Sequence, residues 1–288
     1  MRRLSTLMLL WPIGLGAQSA ADHYAAGRAA MSAKPDDAVK EFEKAVSLDD
    51  KNAEYHLWLG NALGTVAQKA SVLRQPFLAK RVKSEFERTV QLDPSSVDGR
   101  HGLMQFFLEA PGIMGGSVDK AREQAVEIGK VNPMRGHLAR AEIAAHDKDG
   151  TAREREYRAA VSESPDSVVA YATLVAYLLN AKRTDDACAV VDNLIARRPT
   201  DPLALWQMGR LAAVTGTRLD RGEQALRAVL ASPGVGTDPR LPVPANVHYR
   251  LGDILARRGA KDEARKEYER AIELNPQFDA ARKALKAL

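Results

Sequence analysis

Residues 248–276 read HYRLGDILARRGAKDEARKEYERAIELNP, and this stretch decides the fold. Apolar and small residues recur in it at helical spacing, in two groups: Leu251 and Leu255, then Ala264, Tyr268 and Ala271. Gly259 falls where a first helix would end, and Pro276 stops a second helix because proline has no amide donor. The stretch therefore predicts two short helices that pack on each other, with Gly252 facing Ala264 so that they approach closely.

The sequence pattern at the end of this stretch is repeated, with variations, earlier in the chain. Similar phrases occur at Ala45–Asp49, at Thr89–Pro94 and at Ala160–Val161 before Pro165. Prolines close such phrases at positions 94, 133, 165, 199 and 276, and the first four are separated by 39, 32 and 34 residues. A period near 34 residues is typical of helix–turn–helix repeats. The 288 residues are therefore predicted to form an all-α array of helix pairs, although their number alone would suggest about two domains.

On these residues the chain resembles the tetratricopeptide-repeat (TPR) family, whose pattern of small and large positions the last unit follows throughout. A second full match comprises Tyr171, Leu174, Val175, Leu178, Ala187, Val191, Leu194 and Pro199. The resemblance implies an all-α TPR solenoid of about seven helix–turn–helix units plus a C-terminal capping helix. A solenoid needs such a terminal helix, with a polar outer face, to cover its exposed core.

We expect a single superhelical array from residue 21 to residue 288, built from degenerate repeats. The predicted repeats lie near 21–51, 52–95, 96–134, 135–166, 167–200, 201–231 and 244–277, and the cap spans 278–288. The second repeat departs most from the family, because Gly60 and Val82 are 22 residues apart. This repeat should therefore carry longer helices or a protruding loop around Ser71–Pro76.

The N-terminus has the pattern of a secretory signal peptide. Arg2 and Arg3 precede the apolar stretch Leu4–Leu15, and small residues follow it. At 12 residues this stretch is too short to span a bilayer, which needs about 20. The signal peptide is predicted to be 1–17 or 1–19, with cleavage after Ala17 or after Ser19, and a buried N-terminal helix is the alternative. Export would place the mature chain in the periplasm or outside the cell.

The amino-acid composition limits the kinds of partner that this chain is expected to bind. The formal charge of +5 falls to +3 without the first two arginines, because 40 basic residues then face 37 acidic ones. This excess is weak for a nucleic-acid-binding protein, so no nucleic-acid partner is expected. No later segment approaches 18 apolar residues, so no transmembrane segment is expected in the mature chain. Cys188 is the one cysteine, which excludes an internal disulfide, and we expect it to be buried.

The TPR resemblance implies a partner-binding surface on the concave face, which the first helices of the repeats form. On this chain the implied residues are Tyr24, Arg28, Asn61, His101, Gln105, Arg140, Trp206, Arg210, Tyr249 and Asp253. Arginine and aromatic side chains anchor many interfaces, and arginines can hold a carboxylate-bearing peptide. The alternative is a solvated polar face with a partly buried Trp206.

Residues 110–117 read APGIMGGS and are the most distinctive local feature. A glycine-rich loop before a helix can hold an anion on its backbone amides, and the candidates here are Gly112, Gly115, Gly116 and Ser117. The alternative, which we favour, is a loop bent by its glycines that packs Ile113 and Met114 on the array. The phrase resembles one in a subset of exported bacterial TPR proteins.

No catalytic constellation is visible in the sequence. No Ser/His/Asp set, His-Glu-x-x-His motif or paired-carboxylate motif occurs, so we expect no enzyme, cofactor or metal site. His56 and His248 occupy expected packing positions. The sequence favours a scaffold or adaptor of the bacterial cell envelope that binds a peptide or a partner helix of another envelope protein. The alternative is an accessory small-molecule or lipid-binding protein of an envelope transporter, with a cavity between the inner face and the long inserts.

Overall fold

Fifteen α-helices and one short 3-10 helix occur in residues 19–288, the part of the chain that the computed structural model describes. Because this part contains no β-strand, the all-α prediction is confirmed. The predicted signal peptide, 1–17 or 1–19, falls on residues 1–18, which lie outside the described residues, and in its longer form also includes Ser19. The chain divides into two units, the first ending at Val131 and the second beginning at Asn132, and each is described by itself.

Unit 1 contains three pairs of helices. They are α1 (Ala20–Ala30) with α2 (Pro35–Leu48), α3 (Ala53–Lys69) with α4 (Gln75–Leu92), and α5 (Val97–Glu109) with α6 (Val118–Val131). The 3-10 helix, Gly112–Met114, lies between α5 and α6 and also contacts α4. The long second repeat is thus accommodated by longer helices, since α3 has 17 residues and α4 has 18, joined by a short turn.

Unit 2 contains four further pairs and a terminal helix. They are α7 (Pro133–His146) with α8 (Gly150–Glu163), α9 (Val168–Asn180) with α10 (Thr184–Arg197), α11 (Pro202–Thr215) with α12 (Leu219–Ala231), α13 (Pro244–Arg257) with α14 (Lys261–Leu274), and α15 (Asp279–Lys286). Helix α15 packs on α14 and buries Ala281. Seven pairs and a terminal helix are the predicted TPR-type architecture. A single array across both units stays a prediction.

The phrase-ending prolines mark the ends of helices with a constant offset. Helices α4, α6, α8, α10 and α14 end at Leu92, Val131, Glu163, Arg197 and Leu274, and the prolines follow two residues later in every case. The cause is local, because a proline disfavours helical conformation in the residue before it. Pro133 has a second role, since it is also the first residue of α7, where its missing amide donor costs nothing.

In four of the seven pairs, α1–α2, α3–α4, α11–α12 and α13–α14, a large side chain of the second helix packs on a glycine of the first helix. A Cβ atom added to Gly252 would lie 2.6 Å from the Tyr268 ring, and one added to Gly27 would lie 2.7 Å from Phe42. The close approach expected at Gly252 is therefore present, with the Tyr268 ring as its nearest neighbour. Its predicted contact with Ala264 stays a prediction. Phe86 is closely approached by two glycines, Gly60 of its own pair and Gly102 of the next pair.

A second contact also recurs within the pairs. In four of them a histidine Nδ1 on the first helix lies within hydrogen-bonding distance of a glutamate Oε2 on the second helix. The pairs are His23–Glu41 at 2.6 Å, His56–Glu85 at 2.6 Å, His137–Glu156 at 2.8 Å and His248–Glu267 at 2.6 Å. The predicted packing positions of His56 and His248 therefore also carry a polar contact that fixes the register of the two helices.

Candidate functional site

A polar cavity of about 540 Å³ lies on the first helices of unit 1. Its lining residues are Arg28, Glu54, Leu57, Trp58, Asn61, Asp98, His101, Gly102 and Gln105. Four of these residues, namely Arg28, Asn61, His101 and Gln105, are among those that the sequence assigned to a binding face. The spacing of helices α1, α3 and α5 brings them together from three successive repeats.

One wall of the polar cavity is rigid. The Arg28 guanidinium lies 3.7 Å from the centroid of the Trp58 ring, and its Nη1 donates a hydrogen bond of 2.8 Å to the Tyr24 hydroxyl. That hydroxyl in turn donates to Glu54. Burial raises the pKa of Tyr24, and the hydrogen bond to Glu54 raises it further. Tyr24 therefore stays a neutral donor that holds Arg28 and Glu54 in place.

A second cavity of about 400 Å³ adjoins the first, and Asn61, Gly102 and Gln105 line both. Most of the other residues that line it are apolar or small, among them Met31, Gly64, Ala79, Val82, Phe86, Phe106, Ala110, Pro111 and Met114. They come from α3, α4, α5 and the 3-10 helix. We call the two cavities together the unit 1 groove, which is polar at one end and largely apolar at the other.

The glycine loop contributes apolar surface to this groove. Four amides of the loop already donate to carbonyl oxygens of the chain: Met114 to Pro111, Gly115 to Gly112, Gly116 to Pro111, and Ser117 to Phe107. The geometry therefore gives no support to the anion-binding prediction for Gly112, Gly115, Gly116 and Ser117. The packing alternative is right for Met114, which lines the apolar cavity, and wrong for Ile113, which is 95% exposed.

In unit 2, two of the predicted arginines have different surroundings. Arg140 Nε donates to Glu156 Oε2 at 3.0 Å, so this cation is already paired. Burial opposes ionisation of Glu156, but the hydrogen bonds from His137 and Arg140 outweigh it and hold the pKa of that carboxyl below its ordinary value. Arg210 lies on α11, and burial together with the nearby Arg250 lowers the pKa of its guanidinium.

The remaining predicted residues of unit 2 contribute to packing. Trp206 is partly buried against the apolar core that α12, α13 and α14 share. Tyr249 packs on Phe278, with ring centroids 5.0 Å apart. Asp253 accepts hydrogen bonds from the Tyr268 hydroxyl at 2.9 Å and from Arg250 at 3.0 Å, and burial raises the pKa of its carboxyl. The predicted binding roles of these three residues stay predictions.

Sequence reasoning missed part of the groove. Glu54, Trp58 and Asp98 line the polar cavity but were not assigned to it. The signal for the first two was present, because Glu54, Trp58 and Asn61 are spaced by four and three residues and so share one face of α3. The apolar cavity could not be read in the same way, because it requires the glycine loop to fold back against α4.

Two kinds of feature are absent from residues 19–288. In this range no group of three or more His, Cys, Asp or Glu side chains is placed to hold a metal ion. No helix of the same range is both long enough and apolar enough to cross a bilayer.

The described helix pairs give this chain a TPR-like helical-repeat fold. Residues 245–278, which form α13 and α14, match the family model described as tetratricopeptide repeat. Among curated proteins, none matches this sequence.

Two solved structures share the fold at low sequence identity. The chain is similar to yeast Tom70, with 13% identity over 96% of this chain and 58% of that chain, and a TM-score of 0.57. It is also similar to human IFIT1, solved as a dimer with m7Gppp-AAAA, with 14% identity over 94% of this chain and 62% of that chain, and a TM-score of 0.54. At these identities the similarity shows the fold alone.

Proposed function

We propose that this chain is a non-enzymatic interaction scaffold, exported to the bacterial cell envelope, which binds an extended peptide or a partner helix of another envelope protein in the unit 1 groove. The observation that carries the proposal is the continuity of the polar and apolar cavities through Asn61, Gly102 and Gln105. A groove with one polar end and one apolar end fits an amphipathic segment, since such a segment presents both kinds of side chain along its length.

The charges of the groove define the partner further. Arg28 is the arginine that lines the polar cavity, and the carboxylates of Glu54 and Asp98 line it as well. Both signs of charge therefore face the partner, which favours a mixed polar segment over a strongly acidic one. The export part of the proposal rests on the N-terminal sequence pattern. Its test is the mass of the chain recovered from a periplasmic fraction, which should begin at Gln18 or Ala20.

Replacing both Asn61 and Gln105 by alanine should weaken binding of a selected peptide about thirtyfold. Each of the two side chains lines both cavities, and a lost hydrogen bond costs about 1 kcal/mol. Peptides that bind are first selected from a phage-displayed random library on the immobilised chain. One of them is then titrated by fluorescence anisotropy.

The matched control for this pair is Ser84→Ala with Gln91→Ala, which changes two exposed side chains of α4 that do not line either cavity. The control should bind the peptide as the unmodified chain does. Recovery of no peptide, or equal binding by the test and control variants, would count against the proposal.

The apolar cavity also favours a second candidate, an accessory protein that binds a small apolar molecule or a lipid chain for an envelope transporter. Its volume of about 400 Å³ suits a small ligand. A leucine at Gly64, which lines the cavity, would project into open space and occupy part of the cavity, because nothing lies within 4 Å of a Cβ atom added there. A ligand at one hundred times its Kd should stabilise the unmodified chain by about 2.7 kcal/mol but not Gly64→Leu.

This second candidate is tested by thermal unfolding against a library of apolar small molecules. A compound that stabilises both proteins equally binds elsewhere and contradicts it, as does a screen in which no compound raises the melting temperature. Gly64→Leu should weaken peptide binding without abolishing it, because the peptide also contacts the polar cavity. A ligand confined to the apolar cavity should lose its binding, so the two candidate functions give different results with the same variant.

A further inference from the structure

The turn between α3 and α4 carries an unusual concentration of exposed apolar side chains. Within residues 19–288 the four most exposed large apolar side chains are Ile113 at 95%, Leu73 at 85%, Val72 at 79% and Phe77 at 76%. The next most exposed are at 59%. Three of the four lie at this turn, and the fourth lies on the 3-10 helix that contacts α4. We call Lys69–Lys80 the tip.

The tip is ordered rather than loose. The Arg74 amide donates to the Ser71 carbonyl oxygen at 2.8 Å, and the Gln75 side chain donates to the Ala70 carbonyl oxygen at 3.2 Å. On the inner side of α4, Leu78 is buried. The apolar side chains on the outer side are therefore held in water by a closed turn, which an isolated soluble protein has no physical reason to maintain.

The charged residues of the tip's own segment have one sign. Residues 55–84 contain no Asp or Glu, and their five basic residues are Lys69, Arg74, Lys80, Arg81 and Lys83. Arg81 pairs with Glu43, and Lys83 pairs with Glu87. Lys69, Arg74 and Lys80 are exposed, and no ion pair is found for them among the described residues. They lie before, within and after the run of apolar side chains.

We propose that the tip docks on an anionic phospholipid bilayer, with Val72, Leu73 and Phe77 inserted among the headgroups and Lys69, Arg74 and Lys80 against lipid phosphates. Exposed apolar side chains surrounded by cations suit the boundary between headgroups and acyl chains. Ile113 adds a fourth apolar contact from the neighbouring 3-10 helix. A symmetric dimer through the tip is disfavoured, because it would bring the same unpaired cations of two copies together.

The inference does not depend on what the unit 1 groove binds. The tip uses the outer side of the α3–α4 turn, and Val72, Leu73 and Phe77 do not line either cavity. Docking through the tip would hold the chain at a membrane surface and leave the polar cavity open to a partner.

Co-sedimentation with lipid vesicles tests the inference. Vesicles of phosphatidylcholine alone are compared with vesicles that also contain phosphatidylglycerol, at low and high salt. Every protein in the series is the full chain with Leu9→Ser and Leu10→Ser, so that the apolar N-terminal stretch does not contribute. We expect binding to the anionic vesicles that high salt weakens, and little binding to phosphatidylcholine alone.

Two variants of the tip should each bind anionic vesicles about tenfold less tightly: Leu73→Ser with Phe77→Ser, and Arg74→Gln with Lys80→Gln. The matched controls are Val169→Ser with Val243→Ser, and Arg265→Gln with Lys266→Gln, which change exposed residues of unit 2. The control variants should bind anionic vesicles as tightly as the chain whose tip is unmodified. Circular dichroism of every variant reports whether it is folded.

Four results would overturn the inference. They are an absence of binding to anionic vesicles, equal binding to both kinds of vesicle, equal binding by the tip and control variants, and a dimer in lipid-free solution that the tip variants abolish. The last result would show that the tip binds a second copy of this chain and not a bilayer.

Discussion

Replacing Gly102 by valine is expected to lower the free energy of unfolding by about 3 kcal/mol. A Cβ atom added to Gly102 would lie 2.5 Å from the Phe86 ring, which is closer than real contacts allow. The ring has little room to move, because Phe86 is buried and Gly60 also approaches it closely, with an added Cβ atom there 2.9 Å away. Valine adds two methyl groups to this clash. Urea unfolding followed by circular dichroism measures the change.

The control for Gly102→Val is Gly64→Ala on α3. Nothing lies within 4 Å of a Cβ atom added to Gly64, so alanine there should stabilise the helix by up to about 1 kcal/mol. The two substitutions should therefore change stability in opposite directions. An unfolding midpoint for Gly102→Val equal to that of the unmodified chain would contradict the packing described here.

A second substitution tests the cause of the effect. Phe86→Leu removes part of the ring and should cost stability alone, but it should partly restore Gly102→Val because it relieves the contact. The double variant is then more stable than the sum of the two single effects predicts. Additive effects would show that Phe86 and Gly102 do not interact.

The helix pairs were predictable because their signal is local and repeated. A proline two residues beyond a helix disfavours further helix through its ring and its missing amide donor. This effect requires no contact with distant residues. Small and large packing positions, such as Gly27 with Phe42 and Gly252 with Tyr268, also recur in several pairs. The correct number of pairs therefore followed from residues such as Pro94, Pro165 and Pro276 before any contact was known.

The contacts between helices were less predictable, and the His–Glu pairs show why. The separation along the chain is 18 residues for His23 and Glu41 but 29 residues for His56 and Glu85. Helices α3 and α4 are longer at the end joined by their turn, so the extra residues lie beyond the contact and leave it intact. A fixed spacing rule fails here, because the contact depends on how far the two helices extend.

The groove was only partly predictable for a related reason. First-helix residues such as Arg28, Asn61 and His101 could be grouped from the repeat alone, since equivalent positions in successive repeats lie side by side. The apolar cavity instead depends on the 3-10 helix packing against α4, which is a contact between segments without a common sequence pattern. Exposure of Ile113 follows from the same packing, because Met114 takes the inward position.

Replacing His56 by alanine is expected to lower the free energy of unfolding by about 3 kcal/mol. Both ring nitrogens have an acceptor: Nδ1 lies 2.6 Å from Glu85 Oε2, and Nε2 lies 3.0 Å from the Asp50 carbonyl oxygen. The His56 side chain is 8% exposed and that of Glu85 is 18% exposed, so alanine leaves a largely buried carboxylate without its partner. Thermal or urea unfolding of the purified variant measures the loss.

The matched control is His146→Ala, which removes a histidine whose side chain is 43% exposed and whose carboxylate partner, Asp147, is 36% exposed. Its stability should stay within about 0.5 kcal/mol of the unmodified chain. A double-mutant cycle of His56→Ala with Glu85→Gln then separates the pair from the loss of packing, because a direct contact should give a coupling energy of about 1 kcal/mol or more. If the cycle gives no coupling, the ring of His56 contributes through packing alone, and the recurring His–Glu contact does not stabilise the repeat.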